Sequence, residues 1–284
     1  MTNMPDKGQP LISVIMGVLY QREDIDLLMR SIQSVQDQTY TNWELLVCDD
    51  GSVEAARRYL EEMAEWDGRI QLVRGCPKTD LSSKLNWCLA KAEGAYIARM
   101  DDDDWSQPSR FEKQLHALEE NPAVAFVGSN VRLWRDNGIV GVRELPKNPE
   151  IRDFLFVQPF VHPTLIFRRE ALLAVGGYSS DKHCLNCEDY DLLLRLYGEG
   201  LYGENLKEYL LDYTIPNTAK GRRTMGHRWN EAVTRWKNFS KLGLLPRALP
   251  YVAKPLVVGI IPAPLVEKLK EWLAFKRIGE EDGK

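Results

Sequence analysis

Apolar positions follow two alternating rhythms over the first 120 residues. Leu11–Met16 (LISVIM) is a continuous β-rich run, after which Ile25, Leu28, Ile32 and Val35 recur at helical spacing. The alternation repeats three times. Trp43–Cys48 (WELLVC) precedes Ala56, Leu60 and Met63; Ile70–Val73 (IQLV) precedes Leu81, Leu85, Leu89 and Ala92; Ala95–Met100 (AYIARM) precedes Phe111, Leu115 and Leu118. Apolar runs without polar alternation indicate strands buried on both faces, and amphipathic helices between them supply the cover. The pattern therefore predicts an α/β fold with a mostly parallel central sheet flanked by helices.

The rhythm then loosens. Val124–Trp134 and Thr164–Arg168 read as strands, the stretch from Asn148 to Pro163 is irregular, and Glu188–Leu196 is a short strong helix. After Tyr213 the strand signal ends. A basic, Trp-containing helical pattern spans His227–Lys241, followed by an apolar stretch broken by prolines at 250, 255, 262 and 264. Its uninterrupted part, Pro255 to Val266, is too short for a membrane span, which needs about 20 residues. Two readings stay open for it: a helical hairpin packed on the main body, or an interfacial element with Trp272 and apolar side chains facing lipid.

Charge sharpens the second reading. The chain of 284 residues has a formal net charge of −4, yet Lys220–Lys254 holds nine Lys/Arg against one acid, and the first 219 residues carry a net −12. An acidic body with a basic tail suggests a tail with its own partner, here an anionic membrane surface; no nucleic-acid partner is expected. The N-terminal MTNMPDKGQP lacks the apolar run of a signal peptide, and five scattered cysteines suit reduced thiols. The expected location is cytoplasmic, peripheral on the cytoplasmic face of the membrane. Residues 10–218 are read as the main domain and 219–284 as a C-terminal helical extension.

Candidate chemistry lies in the acidic strings. Ligands of an open parallel sheet bind outside the carboxyl ends of its strands. Cys48–Ser52 (CDDGS) follows the second strand and Met100–Asp104 (MDDDD) follows the fourth. Four adjacent carboxylates repel one another, so an ordered position for them implies a bound cation. Hard oxygen ligands suit Mg²⁺ or Mn²⁺ bridging to substrate phosphates. In an extended turn the first and third side chains share a side, which pairs Asp101 with Asp103. His183–Cys187 (HCLNC) offers Cys-x-x-Cys and one His but no second ligand pair, so zinc is not expected there.

Five ordered segments, PLISVIMGVLYQRED, QTYTNWELLVCDDGS, AEGAYIARMDDDDWSQPSRFEKQ, VHPTLIFRREALLAVGGY and CEDYDLLLRL, resemble the landmarks of family 2 glycosyltransferases. The resemblance spans roughly residues 10–215. It implies a Rossmann-like GT-A fold and an inverting enzyme that uses a nucleotide-sugar donor, most simply a UDP-sugar. It also implies a saccharide or lipid-linked saccharide acceptor. By this resemblance Asp49 and Asp50 read the donor base, the first-strand loop with Val18, Tyr20 and Glu23 borders the donor, and Lys84 lies near it. Asp101 and Asp102 face the donor, Asp101 and Asp103 hold the metal, Asp189 is the general base, and Glu188 lies on the acceptor side. His162 either lines the acceptor side or is a structural loop histidine. Arg222 either closes over the diphosphate or begins the basic segment. Departures from the family pattern are Gly17, where the family usually has proline, and Asp102, at a usually small position.

Competing functions fare less well. A sugar-1-phosphate nucleotidyltransferase would need a Gly-rich basic loop after the first strand, which GVLYQRED is not. An aspartyl phosphatase would carry its Asp-x-Asp after the first strand. A nucleotide-sugar-binding protein without catalysis would have no use for Asp189.

Overall fold

The computed structural model describes residues 8–135, 138–215 and 224–261. The elements run β1 (Ile12–Val18), α1 (Asp26–Gln36), β2 (Trp43–Asp49), α2 (Glu54–Trp66), β3 (Ile70–Leu72), α3 (Leu81–Leu89), β4 (Tyr96–Arg99), β5 (Trp105–Ser106) and α4 (Arg110–Glu120). They continue with β6 (Phe126–Arg135), β7 (Gly138–Arg143), β8 (Ile166–Arg168), α5 (Arg169–Ala174), α6 (Glu188–Gly198), β9 (Gly203–Thr214), α7 (Met225–Lys241) and α8 (Leu249–Ile260). Among the described residues these strands form one sheet, ordered β3-β2-β1-β4-β8-β6-β9-β5 with β7 on β6.

The first four strands pair in parallel, as their continuous apolar character predicts. The other half is mixed: β8 runs antiparallel between β4 and β6, while β6 and β9 pair in parallel through two register shifts. Asn130 sits at those shifts and stabilises them. Its amide accepts from Leu145 N–H at 2.8 Å and donates to the Lys207 carbonyl at 2.8 Å. Such bulges re-aim the chain beside functional sites. The Trp105–Ser106 segment, expected to lead straight into a helix, first pairs with β9. The irregular stretch contains 3-10 turns at Ile151–Leu155 and His162–Thr164.

Alternating side chains fill two layers. Val14, Met16, Val47 and Ala98 pack with Leu28, Ile32, Leu60, Phe111 and Leu115 on one face. Ile15, Leu46, Cys48 and Ile97 pack with Leu85, Leu89, Leu172, Leu193 and Phe239 on the other. Phe239 belongs to α7, so this helix is part of the second layer. The bond from Asn238 Nδ2 to Asp191 Oδ1, 2.9 Å long and buried, joins α7 to α6. The described part of the C-terminal segment is thus a helical pair whose first helix packs on the body. Among the described residues no helix is long and apolar enough to cross a membrane.

Candidate active site

The C-terminal ends of β1, β2 and β4 meet on one edge of the sheet, and the acidic strings lie there. The acidic turn is anchored through its backbone. Ser31 of α1 donates its hydroxyl to the Asp101 carbonyl at 2.7 Å, and the Thr214 hydroxyl donates to the Asp103 carbonyl at 2.5 Å. Asp104, fully buried, accepts from the Thr214 N–H at 2.7 Å, while its second oxygen is buried with no hydrogen-bond partner. Gln38 and Ser34 clamp the strand that follows: Gln38 Nε2 lies 3.0 Å from the Ser106 hydroxyl, and Ser106 N–H donates to Ser34 Oγ at 3.0 Å. A polar stripe on α1 therefore fixes the turn, and the carboxylates of Asp102 and Asp103 are left to crowd one another.

Crowding shows in their protonation. Burial, then the charge of Asp101, pushes Asp102 up to about 6. Burial, then Asp101 and Asp102, pushes Asp103 up to about 7. Burial, then Asp101 and Asp103, raises Asp104 well above the carboxylate range. One compensating charge inside the protein is Arg99, a residue of β4 that is 1% exposed. Its guanidinium pairs with the Asp101 carboxylate and bonds the Met100 carbonyl. Burial opposes its charge, but Asp101, Tyr178 and Asp102 outweigh that and raise its pKa. Nothing in the apolar run YIARM indicates a partner for Arg99; a single cation in an otherwise buried strand was the available signal.

Asp102 contacts the Leu19 amide in the first-strand loop, linking the two donor-side segments. That loop is also tied to β2. Tyr20 N–H donates to Ser52 Oγ at 2.8 Å, Val53 N–H donates to the Tyr20 carbonyl at 2.9 Å, and the Ser52 hydroxyl donates to Asp49. The Tyr20 ring itself is packed in the core, 7% exposed, and Glu23 is exposed. Asp49 and Asp50 thus differ: Asp49 is a turn cap, whereas Asp50 keeps a buried carboxylate oxygen without a hydrogen-bond partner. A small open pocket of about 50 Å³ beside Asp49 is lined by Val47, Arg57, Leu72 and Arg74 among others.

Lys84 is buried and donates to the Val18 carbonyl at 2.7 Å. Gly17 explains how it gets there: a Cβ at this position would lie 2.9 Å from Leu81 Cδ1 and 3.2 Å from Lys84 Cβ. The glycine in place of the family's proline lets α3 close over the end of β1.

Glu188 and Asp189 open α6. Asp189 accepts from Gln158 Nε2 at 2.9 Å and from the Tyr190 N–H at 2.7 Å, so both oxygens are oriented. Arg143 of β7 donates to the Gln158 carbonyl at 2.9 Å and joins this support. Glu188 is pushed up to about 7 by burial and then by Asp189. The charges of Asp101, Asp103, Asp104 and Asp189 all act on Tyr213, and those of Asp101, Asp189 and Glu188 all act on Tyr178. The acidic turn and the start of α6, although Asp103 and Asp189 are 86 positions apart in sequence, thus both lie within electrostatic reach of Tyr178 and Tyr213.

His162 is buried and lies 2.8 Å from the Tyr178 hydroxyl. Burial, then Arg99, holds its imidazole well below the usual value, so it is neutral and braces the Tyr178–Arg99 wall. His183 and Cys184 lie in a 3-10 turn, Lys182–Cys184, and Cys187 caps the start of α6; both pack against α7. Cys187 Sγ lies 3.4 Å from the Thr234 hydroxyl and His183 Nδ1 lies 3.4 Å from Asn230. Arg222 lies outside the described residues. Among the described residues no three His, Cys, Asp or Glu side chains stand in a metal-holding arrangement.

The profile of Glycosyl transferase family 2 matches residues 13–173. The chain belongs to this family. It is 36% identical over 260 residues to EpsE of Bacillus subtilis (strain 168), a protein assigned as a glycosyltransferase, covering 91% of this chain and 92% of EpsE. It is 35% identical over 224 residues to the O-antigen biosynthesis glycosyltransferase WbnJ of Escherichia coli, covering 76% of this chain and 84% of WbnJ. Its fold matches the mannosyltransferase PcManGT from Pyrobaculum calidifontis, solved in complex with GDP-Man and Mn²⁺. That match has a TM-score of 0.60 and 19% identity, over 95% of this chain and 82% of that one. The chain is therefore a glycosyltransferase of the GT-A fold, as its landmarks imply.

Proposed function

We propose that this glycosyltransferase inverts configuration as it moves a sugar from a nucleotide donor, a UDP-sugar first among the candidates, to a saccharide acceptor in polysaccharide biosynthesis. The observation that supports this reading is that the carboxylates of Asp101, Asp103 and Asp104 and that of Asp189 all act on the buried Tyr213. WbnJ's named role in O-antigen biosynthesis supports the pathway class.

A hard divalent cation, Mg²⁺ or Mn²⁺, fits the donor set of Asp101 and Asp103. Asp103, whose carboxyl resists ionisation among its neighbours, gains from a bound cation, and the Mn²⁺ in PcManGT accords with this. Bound there, the ion would offset charge on the departing diphosphate. The protein's own groups do the rest. Asp50, with its unpaired oxygen, is suited to accept from a nucleobase, and Asp49 keeps the turn that aims it. Lys84 fixes the first-strand loop beside the donor through Val18. Asp189, held by Gln158 and the Tyr190 N–H, takes the proton of the attacking hydroxyl, which is far too weak an acid to lose it unaided. Arg99 pairs with Asp101 and aims it; His162 acts as scaffold.

The C-terminal helices expose Met225, Trp229, Trp236, Val257 and Ile260 among basic residues. Peripheral attachment to an anionic membrane, and with it a lipid-linked acceptor, follows from that combination. The division at residue 218 is functional in this proposal, since α7 packs into the body.

The test is a panel of UDP-, GDP- and dTDP-sugars incubated with Mn²⁺ or Mg²⁺. One donor should be hydrolysed or transferred only with metal. Release of pyrophosphate from a nucleoside triphosphate and a sugar phosphate would instead mark a nucleotidyltransferase, and binding without turnover a sugar-nucleotide-binding protein.

A further inference from the structure

The segment before Gln158 is gripped by side chains from three helices. Ile151–Leu155 is a 3-10 turn, and such a turn leaves its last carbonyls without internal partners. The Tyr190 hydroxyl of α6 donates to the Phe154 carbonyl at 2.5 Å, and Arg235 Nη1 of α7 donates to the Leu155 carbonyl at 2.7 Å. The Lys254 ammonium of α8 donates to the Phe156 carbonyl. Arg143 of β7 holds the Gln158 carbonyl at 2.9 Å. Gln158 then donates from its amide nitrogen to the Phe160 carbonyl at 3.1 Å and to Asp189 Oδ2 at 2.9 Å. Both partners are acceptors, so the amide has one workable orientation; its reverse would set an oxygen against a carboxylate.

Arg235 stands where these supports converge. It is 3% exposed, on the buried face of α7. Its bond to Leu155 grips the segment just ahead of Gln158. Its guanidinium also lies over the Tyr190 ring, 4.7 Å from the centroid, and the Tyr190 N–H donates to Asp189 Oδ1 at 2.7 Å. Glu231, one turn earlier on α7, accepts from Arg235 Nε at 3.1 Å and fixes the plane of the fork. One side chain therefore touches both routes to the carboxylate: Leu155 and Gln158 lead to Oδ2, and Tyr190 leads to Oδ1. A guanidinium can hold all three contacts because its donors form a rigid planar fork whose face also stacks on rings.

We propose that Arg235 is a positioning residue for Asp189, which makes α7, beyond the 13–173 stretch that the family profile matches, part of the catalytic apparatus. The proposal rests on the reading of Asp189 as the base. Arg235 acts on the rate through its neighbours. Each of the two hydrogen bonds on Asp189 comes from a residue that Arg235 holds directly or through the backbone. A misplacement near 1 Å of a reacting group costs on the order of 10²-fold.

The experiment compares Arg235→Lys with the unsubstituted chain, using the nucleotide sugar that the donor panel shows to be turned over. Lysine keeps the charge beside Glu231 but has no fork, so it cannot bond Glu231 and Leu155 and cover Tyr190 at once. kcat should fall about 10–10²-fold, while donor KM and the affinities for UDP and GDP stay unchanged. In an Asp189→Asn background the same substitution should alter the residual rate by about twofold or less, because the group it aims is gone. Amide exchange across residues 154–158 should quicken in Arg235→Lys. Gln158→Met, which severs the Oδ2 link and leaves α7 intact, should also lower kcat with KM unchanged. An unsubstituted kcat in Arg235→Lys, or an equal fall with and without Asp189, overturns the positioning role. Full activity in Gln158→Met overturns the route through Leu155. Transfer by Asp189→Asn at the unsubstituted rate would instead overturn the base reading and the catalytic half of the proposal with it; the grip on residues 154–158 is then judged by exchange alone, and unchanged exchange overturns that too.

Discussion

Replacing Asp103 by Asn should stabilise the metal-free protein at pH 8 while abolishing transfer. The perturbation removes one negative charge from a turn where Asp101, Asp102 and Asp104 repel it. Asp103 titrates near 7 in the folded chain, and an unfolded aspartate titrates near 3.9. The folded state therefore holds this proton more tightly. Stability from that group is complete below pH ~4 and is lost as pH rises through about 7. An isolated, fully desolvated group with this shift would lose about 4 kcal/mol. Asp103 is half-buried and shares its repulsion with three neighbours, which reduces the gain on substitution to about 1–2 kcal/mol. For a chain of this size that is a rise of about 2–8 °C in Tm. The assay is thermal unfolding of both proteins in chelator at pH 8 and pH 4, then in Mn²⁺ at pH 8. The variant should lead at pH 8, lose its lead at pH 4, and fail to gain from Mn²⁺, which should raise the Tm of the unsubstituted chain. A variant no more stable at pH 8, or a lead independent of pH, would refute the argument that the turn is strained by its own charge.

Other perturbations probe other parts of the account. Phe239→Ala, although in the C-terminal segment, should cost about 3–5 kcal/mol in urea unfolding, because Phe239 is fully buried in the second core layer; a neutral result would detach α7 from the body. Gly17→Ala should cost about 1–2 kcal/mol and weaken nucleotide binding, since its Cβ would press on Leu81 and Lys84; unchanged binding would remove Lys84 from the donor side. Co-sedimentation with anionic vesicles should pull down the full chain, and salt should weaken the binding; a chain ending at Ile261 that binds equally well would place the lipid contact on α7 and α8 alone.

Much of the parallel half was legible in sequence, because strands buried on both faces must be apolar throughout and leave a plain signature. β9 was not. Glu204, Lys207 and Glu208 break its apolar pattern, and its pairing with β6 is bulged, so no two-residue period survives. The two-residue β5 carries no periodic signal at all; its place depends on β9. The acidic turn and Asp189 stood out as strings at strand and helix ends, but bringing both within electrostatic reach of Tyr178 and Tyr213 required tertiary contacts that no sequence pattern shows. Arg99, Gln158 and Arg143 escaped notice for a related reason. Each acts on a neighbour brought in by tertiary contact, and sequence shows no such neighbour.

The central claim is that Asp189 takes the acceptor's proton across the cleft from a metal-bound donor. Its most direct test is the transfer rate of Asp189→Asn with the donor that the panel identifies, measured beside nucleotide affinity in Mn²⁺. The account predicts a fall of about 10²–10⁴-fold in rate with affinity unchanged. Transfer at the unsubstituted rate would contradict it.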